Sequence, residues 1–225
     1  ATFMKCGGLG MVASELPENY NRSFAGEHSD ITIITPMYLG DTGRKKCTFE
    51  NGIYSGAENR QIALHKLCTI KVPFMGNRNR FCNFKADVYK GSLNGADYLF
   101  LHNDRFFSIN PAAENPSGQG GCYVLNNLHI DEVERFAFLS KAVYCLLENI
   151  AAKQIKSLDL PNMLIANDWH SGAISGLTKY LTMAKVYAKR LSLDIADKLK
   201  DIPIIHIAHH MGYQGWDYNN TSKIL

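Results

Sequence analysis

The sequence has no run of about twenty apolar residues, so no helix is expected to cross a membrane. No secretory leader pattern is seen at its start, and a signal peptide is not expected. Charge of one sign is also lacking. Lys and Arg number 24 against 21 Asp and Glu, a net charge of +3. So small and evenly spread an excess argues against nucleic acid as a partner. None of the six cysteines, Cys6, Cys47, Cys68, Cys82, Cys122 and Cys145, stands in a C-x-x-C pair. Neither a zinc site nor a redox motif is indicated, and free thiols in a reducing compartment are expected. Internal repeats and low-complexity segments are absent too. The 225 residues suffice for one large α/β domain or two small ones.

What the sequence does have is a glycine turn at its beginning. Lys5-Cys6-Gly7-Gly8-Leu9-Gly10 is followed by Met11-Val12-Ala13-Ser14-Glu15-Leu16-Pro17, whose apolar positions suit a short helix. Glycines let backbone N–H groups approach a ligand, and a helix opening there aims its positive end at the same place. With Lys5 beside it, the natural guest is a phosphate or diphosphate. The spacing is neither G-x-G-x-x-G nor a P-loop. A tight turn with an exposed lysine is the plainer reading. Only Ala1-Thr2-Phe3-Met4 precede the turn, so a first strand is expected to be missing.

Further along, Ile31-Thr32-Ile33-Ile34-Thr35 predicts a buried parallel strand, central in its sheet, ended by Pro36. Between Cys47 and Gly95 lie stretches of β-formers, 63–72 and 82–89 among them, separated by turns such as Asn51-Gly52 and Gly76-Asn77. They predict antiparallel hairpins inserted in an α/β pattern. Tyr98-Leu99-Phe100-Leu101 is another buried strand, ending at His102-Asn103-Asp104-Arg105, and 110–121 is a loop. Asp131 and Glu134 have capping-box spacing. Phe136, Leu139, Val143, Leu146, Leu147 and Ile150 then follow at helical intervals. Met163-Leu164-Ile165-Ala166 predicts a buried strand, 173–190 a helix, 194–200 a short helix and 203–208 the last strand.

Alternation of strands and helices predicts a mostly parallel, doubly wound sheet, in which ligands bind beyond the carboxyl ends of the strands. Three polar clusters sit at such ends: Lys5 with its glycines, Asp168-Trp169-His170, and His209-His210. Asp131 could join the same edge or only cap its helix. Asp168 could likewise be a cap and Trp169 core. His206, inside a strand, reads as a hydrogen-bonded core histidine. A metal held by His209 and His210 is not expected, because adjacent residues of an extended chain project oppositely and no third ligand is evident.

Together these residues resemble a known family. Lys5-Cys6-Gly7-Gly8-Leu9-Gly10, Asn167-Asp168-Trp169-His170-Ser171-Gly172 and 209–215 (HHMGYQG) are similar to three motifs of bacterial glycogen synthases and plant starch synthases: K-x-G-G-L-G/A, N/H-D-W-H-x-G and H-N-x-x-Y-Q-G. Residues 131–136 (DEVERF) resemble a fourth, D-N-x-x-R-F. Order and spacing also match, over nearly the whole chain.

The resemblance implies the N-terminal, acceptor-side half of a two-domain GT-B glycosyltransferase, Rossmann-like, with the C-terminal nucleotide-sugar domain absent from this chain. It implies retaining transfer of glucose from ADP-glucose to the non-reducing end of an α-1,4-glucan, without metal or other cofactor. Lys5 and the backbone of Gly7 and Gly8 would meet the donor diphosphate and sugar. His209 would lie near the transferred glucose and Asp131 near the sugar in the cleft. Asp168, Tyr213 and Gln214 would shape the site or touch the acceptor. The implied partners are the nucleotide sugar, the α-glucan and the protein's own C-terminal domain. The implied location is the cytoplasm, or a plastid in a plant or alga.

Met11 stands where the family usually has Asp, and His210 where it usually has Asn. Both leave open a non-catalytic glucan-binding relative, and a related GT-B enzyme using UDP-glucose remains a third reading. Alone, this chain is expected to be marginally stable and unable to transfer glucose.

Overall fold

The structure, a computed structural model, describes residues 15, 19–20, 31–41, 46–56, 60–75, 81–109 and 132–209. The chain divides into two compact units, Ala1–Thr69 with Ala86–Glu132, and Ile70–Lys85 with Val133–Leu225.

In the first unit β1 (Thr32–Pro36) runs parallel to β8 (Ala96–His102), with Thr32 opposite Asp97 and Pro36 opposite Leu101. The sheet order is β1-β8-β7-β6, with β6 spanning His65–Met75 and β7 Phe81–Leu93. The distal residues of β6 and β7 group with the second unit. A five-stranded sheet follows the order β5-β4-β3-β2-β9. It contains β2 (Leu39–Asp41), β3 (Lys46–Glu50), β4 (Ile53–Ser55), β5 (Gln61–Ala63) and β9 (Ser108–Ile109). β2 to β5 pair antiparallel in succession, and β9 joins β2 in parallel.

The turns are set by local chemistry. Asn51-Gly52 joins β3 to β4 with φ of 50° and 78°, and Asn94-Gly95 joins β7 to β8 with φ of 52° and 78°. Two successive positive φ values match the twist of a two-residue hairpin, and Asn-Gly is the pair that adopts them most readily. Aromatic rings fill this unit's core. Tyr54 meets Phe100 edge-on at 5.1 Å, Tyr38 meets Phe107 at 5.9 Å, and the Tyr54 hydroxyl donates to the Tyr38 carbonyl at 3.0 Å. Gly91 is required by close approach, because a Cβ there would lie 2.3 Å from the Ala63 carbonyl oxygen. The short helix α1 (Asp104–Phe107) was not expected from the sequence. Asn103 caps it, its Oδ1 accepting from the amides of Arg105 and Phe106.

In the second unit β10 (Leu164–Asn167) lies parallel to β11 (Ile204–Ile207) in a two-stranded sheet. The long helix α2 (Glu132–Ala151) is buried over much of its circumference. Phe136, Leu146, Leu147 and Ile150 are buried as its period predicts, while Leu139 and Val143 are half-buried. Phe138, Ala142 and Tyr144 are wholly buried as well, and Phe74 and Phe84 pack edge-on against Phe138 at 5.5 and 5.9 Å. After β10 come a 3₁₀ turn (Trp169–Ser171), α3 (Ala173–Gly176), a π turn (Leu177–Leu181) and α4 (Thr182–Tyr187). The helix α5 (Leu193–Lys200) precedes β11.

The class is mixed α/β, and the inserted antiparallel region is present. The described strands form three sheets: β1-β8-β7-β6 and β5-β4-β3-β2-β9 mix parallel and antiparallel pairs, and β10-β11 is a parallel pair. One expectation is corrected: the strands 31–35 and 163–166 are less buried than their apolar runs predict. β1 has β8 as its one strand neighbour among the described residues, and Ile33 and Ile34 are half-buried. Met163 and Ile165 are 46% and 45% exposed, since the described residues cover only one side of β10 well. Cys47, Cys68, Cys82 and Cys145 form no disulfide among the described residues, and Cys6 and Cys122 lie outside them.

Candidate active site

The carboxyl ends of β10 and β11 collect the polar groups. Asn167 is in register with Ile207, and the Asp168 amide donates to the Ile207 carbonyl at 2.7 Å, carrying the pairing one residue further. There the chain turns sharply. Asp168 takes φ 58° and ψ −176°, a region nearly confined to glycine and costing about 1–3 kcal/mol elsewhere. Two contacts offset that strain. The Asp168 carboxylate accepts from the Trp169 amide at 3.1 Å, and its carbonyl takes His206 Nε2 at 2.9 Å. The Ser171 hydroxyl donates to the Asn167 carbonyl at 2.9 Å and closes the turn.

His209 lies two residues beyond Ile207. Its Nε2 is 3.1 Å from Asn167 Oδ1, a contact spanning 42 residues of sequence. The side chain of His209 is otherwise exposed, whereas Asp168 is buried. Behind the turn, His170 stacks on Trp169 with ring centroids 4.3 Å apart, and Phe136 of α2 meets both rings edge-on. Burial pushes the His170 imidazole down to about 4, against the opposing pull of the Asp168 carboxylate, so it is neutral at neutral pH.

Of the residues singled out from sequence, Asp168 and His209 therefore share one edge. Lys5, Gly7, Gly8, Met11, Asp131, His210, Tyr213 and Gln214 lie outside the described residues. Asp168 does cap the following turn, and Trp169 is half-buried against aromatic neighbours. His206 is hydrogen-bonded but exposed rather than core, because its face of β11 is not covered by described residues. Asn167 was not foreseen as a contact. Its place at the end of β10, opposite Ile207, is what brings it near His209. Among the described residues no cluster of three or more His, Cys, Asp or Glu could hold a metal ion, and no helix is long and apolar enough to cross a membrane.

The chain is of the mixed α/β class, in which ligands commonly bind beyond the carboxyl ends of parallel strands. The particular family is the starch synthase catalytic domain. Its model matches residues 1–225, and the chain belongs to it. A glycogen synthase of Clostridium botulinum is 28% identical over 183 residues, covering 81% of this chain and 29% of the relative. A glycogen synthase of Lactobacillus acidophilus is 25% identical over 217 residues, covering 96% of this chain and 33% of the relative. The chain thus spans about a third or less of the length of these relatives. The catalytic domain of starch synthase IV from Arabidopsis thaliana, bound to ADP and acarbose, is a structural neighbour with a TM-score of 0.54. At 21% identity, over 93% of this chain and 32% of that one, it shows a shared fold.

Proposed function

We propose that this chain is the N-terminal, acceptor-side part of an α-glucan synthase of GT-B architecture, built on a Rossmann-like, doubly wound sheet. The reaction is retaining transfer of glucose from ADP-glucose to the non-reducing end of an α-1,4-glucan. The observation that carries this reading is membership of the starch synthase catalytic domain family over residues 1–225. The C-terminal part of the protein would supply most of the nucleotide-sugar contacts, and the location would be the cytoplasm or a plastid.

The chemistry suits the residues. A departing diphosphate develops negative charge, which Lys5 and the amides of Gly7 and Gly8 would stabilise where water is excluded. The sugar develops positive charge, which favours nearby carbonyls and carboxylates such as Asp131 and disfavours cations. His209 would act near the glucose as a neutral imidazole. Asp168, locked in its turn, would hold the strand ends in place, with Tyr213 and Gln214 shaping the acceptor side. Neither a metal nor another cofactor enters this scheme.

Met11 and His210 favour one alternative, a glucan-binding relative without turnover. Incorporation of labelled glucose into glycogen by the full-length protein tests both. ADP-glucose should be used in preference to UDP-glucose, and this chain alone should stay at background. A folded full-length protein that binds glycogen yet transfers nothing overturns the synthase reading. Lys5→Ala should raise the KM for ADP-glucose, lower kcat, or both, with the glucan KM little changed. A rise in the glucan KM alone would remove Lys5 from the donor site.

A further inference from the structure

We propose that Asn167 is a positioning residue for His209, orienting its ring and fixing which ring nitrogen donates to the strand end. The proposal rests on the reading of His209 as a residue of glucosyl transfer, and one arm of its test does not depend on that reading.

The contact joins the ends of two paired strands. Asn167 ends β10, in register with Ile207, and its carbonyl is held by the Ser171 hydroxyl. His209 lies two residues beyond the end of β11. Asn167 Oδ1, at 3.1 Å, is the hydrogen-bond partner of the His209 ring among the described residues. An amide oxygen only accepts. In this contact Nε2–H is therefore the donor.

The identity of the acceptor matters as much as its place. A carboxylate at the same position would hold the ring equally well, but its charge would favour the imidazolium. An amide orients without that bias, which suits a histidine beside a sugar that becomes positive. Three other ionisable groups lie on the adjoining elements. The Asp168 carboxylate accepts from the Trp169 amide, His206 Nε2 is on the Asp168 carbonyl, and His170 is stacked on Trp169. Among the described residues none of the three is hydrogen-bonded to the His209 ring.

The test uses the full-length protein and the variants Asn167→Asp, Asn167→Leu and Asn167→His. In the first arm, acylation of His209 by diethyl pyrocarbonate is followed against pH by peptide mass spectrometry. Asn167→Asp should raise the midpoint by about one pH unit, and Asn167→Leu should not raise it. A midpoint in Asn167→Asp within about 0.2 of the unmodified protein's overturns the proposal.

In the second arm, kcat is measured with ADP-glucose and glycogen. Asn167→Leu should lower kcat about tenfold with the glucan KM within about twofold. Asn167→His, which keeps an acceptor at that place, should restore most of the loss. The acid limb of the Asn167→Asp profile should move up with the acylation midpoint. An Asn167→Leu variant retaining more than about half of kcat overturns the proposal. If the unmodified protein transfers no glucose from any nucleotide sugar, the synthase reading fails, and the acylation arm still decides the Asn167–His209 bond. If Asn167→Leu does not fold, the nearly isosteric Asn167→Asp decides it.

Discussion

The hairpin-rich part of the first unit and the β10–β11 pair of the second are both made of short strands, yet they are held in different ways. In the first, Tyr54, Phe100 and Leu101 are fully buried and ring packs against ring. In the second, the register partners Ile165 and Ile205 are 45% and 48% exposed. What defines the β10–β11 end is a set of hydrogen bonds around a strained turn, with aromatic packing only behind it. A packed core resists distortion because every displaced side chain loses contacts with several others. A hydrogen-bonded edge leaves polar groups accessible, as a site requires.

The contrast can be broken, beginning where the largest effect is expected. Phe100→Ala empties a fully buried position between Tyr54 and Tyr98. It should cost about 3–5 kcal/mol of stability in denaturant unfolding. A cost below about 1 kcal/mol would mean that packing does not hold the first unit.

The next effect comes from the packed side of the site. His170 binds a proton near pH 6.5 when unfolded and only near 4 when folded. Stability is therefore full above about pH 6.5 and falls as pH drops toward 4, by up to about 3 kcal/mol. Unfolding midpoints across that window should fall less steeply in His170→Phe. An unchanged slope would show that burial of His170 contributes nothing to the pH dependence.

His209→Ala sharpens the comparison at the exposed edge. In the full-length protein it should lower kcat at least about tenfold, about 1.4 kcal/mol of barrier. The stability change should stay within about 0.5 kcal/mol. A stability loss as large as the catalytic one would make His209 a structural residue.

The smallest effect is expected for Ile205→Ser, within about 0.5 kcal/mol for a half-exposed side chain with few neighbours. A loss above about 2 kcal/mol in the full-length protein would show that this face is covered there. The looseness of the β10–β11 pair would then belong to the isolated chain alone.

Much of the fold was legible where local chemistry decides it. Asn51-Gly52 marks its hairpin because the pair accepts two positive φ values. The period from Phe136 to Ile150 marks α2, and 194–200 marks α5 with one residue to spare. The helix α1 is too short for an apolar period to mark it, and its cap Asn103 reads equally well as the polar end of β8. The π turn at Leu177–Leu181 has no signature in the apolar pattern. It accompanies threonines that bond elsewhere, Thr178 back to the Ile174 carbonyl and Thr182 to the Tyr144 hydroxyl of α2. At the site, the motif residues and their order were evident, but Asn167 stood among them without a part.

The sequence by itself determined the hairpin turns, the helical faces and the membership of these motifs in one family, because each depends on residues close along the chain. Tertiary structure alone decided that Asp168 would be held at φ 58° and that His209 would meet Asn167 across 42 residues. Those facts follow from the parallel register of β10 with β11, which places the two strand ends side by side. No spacing in the sequence encodes that register, because it is set by the pairing of whole strands.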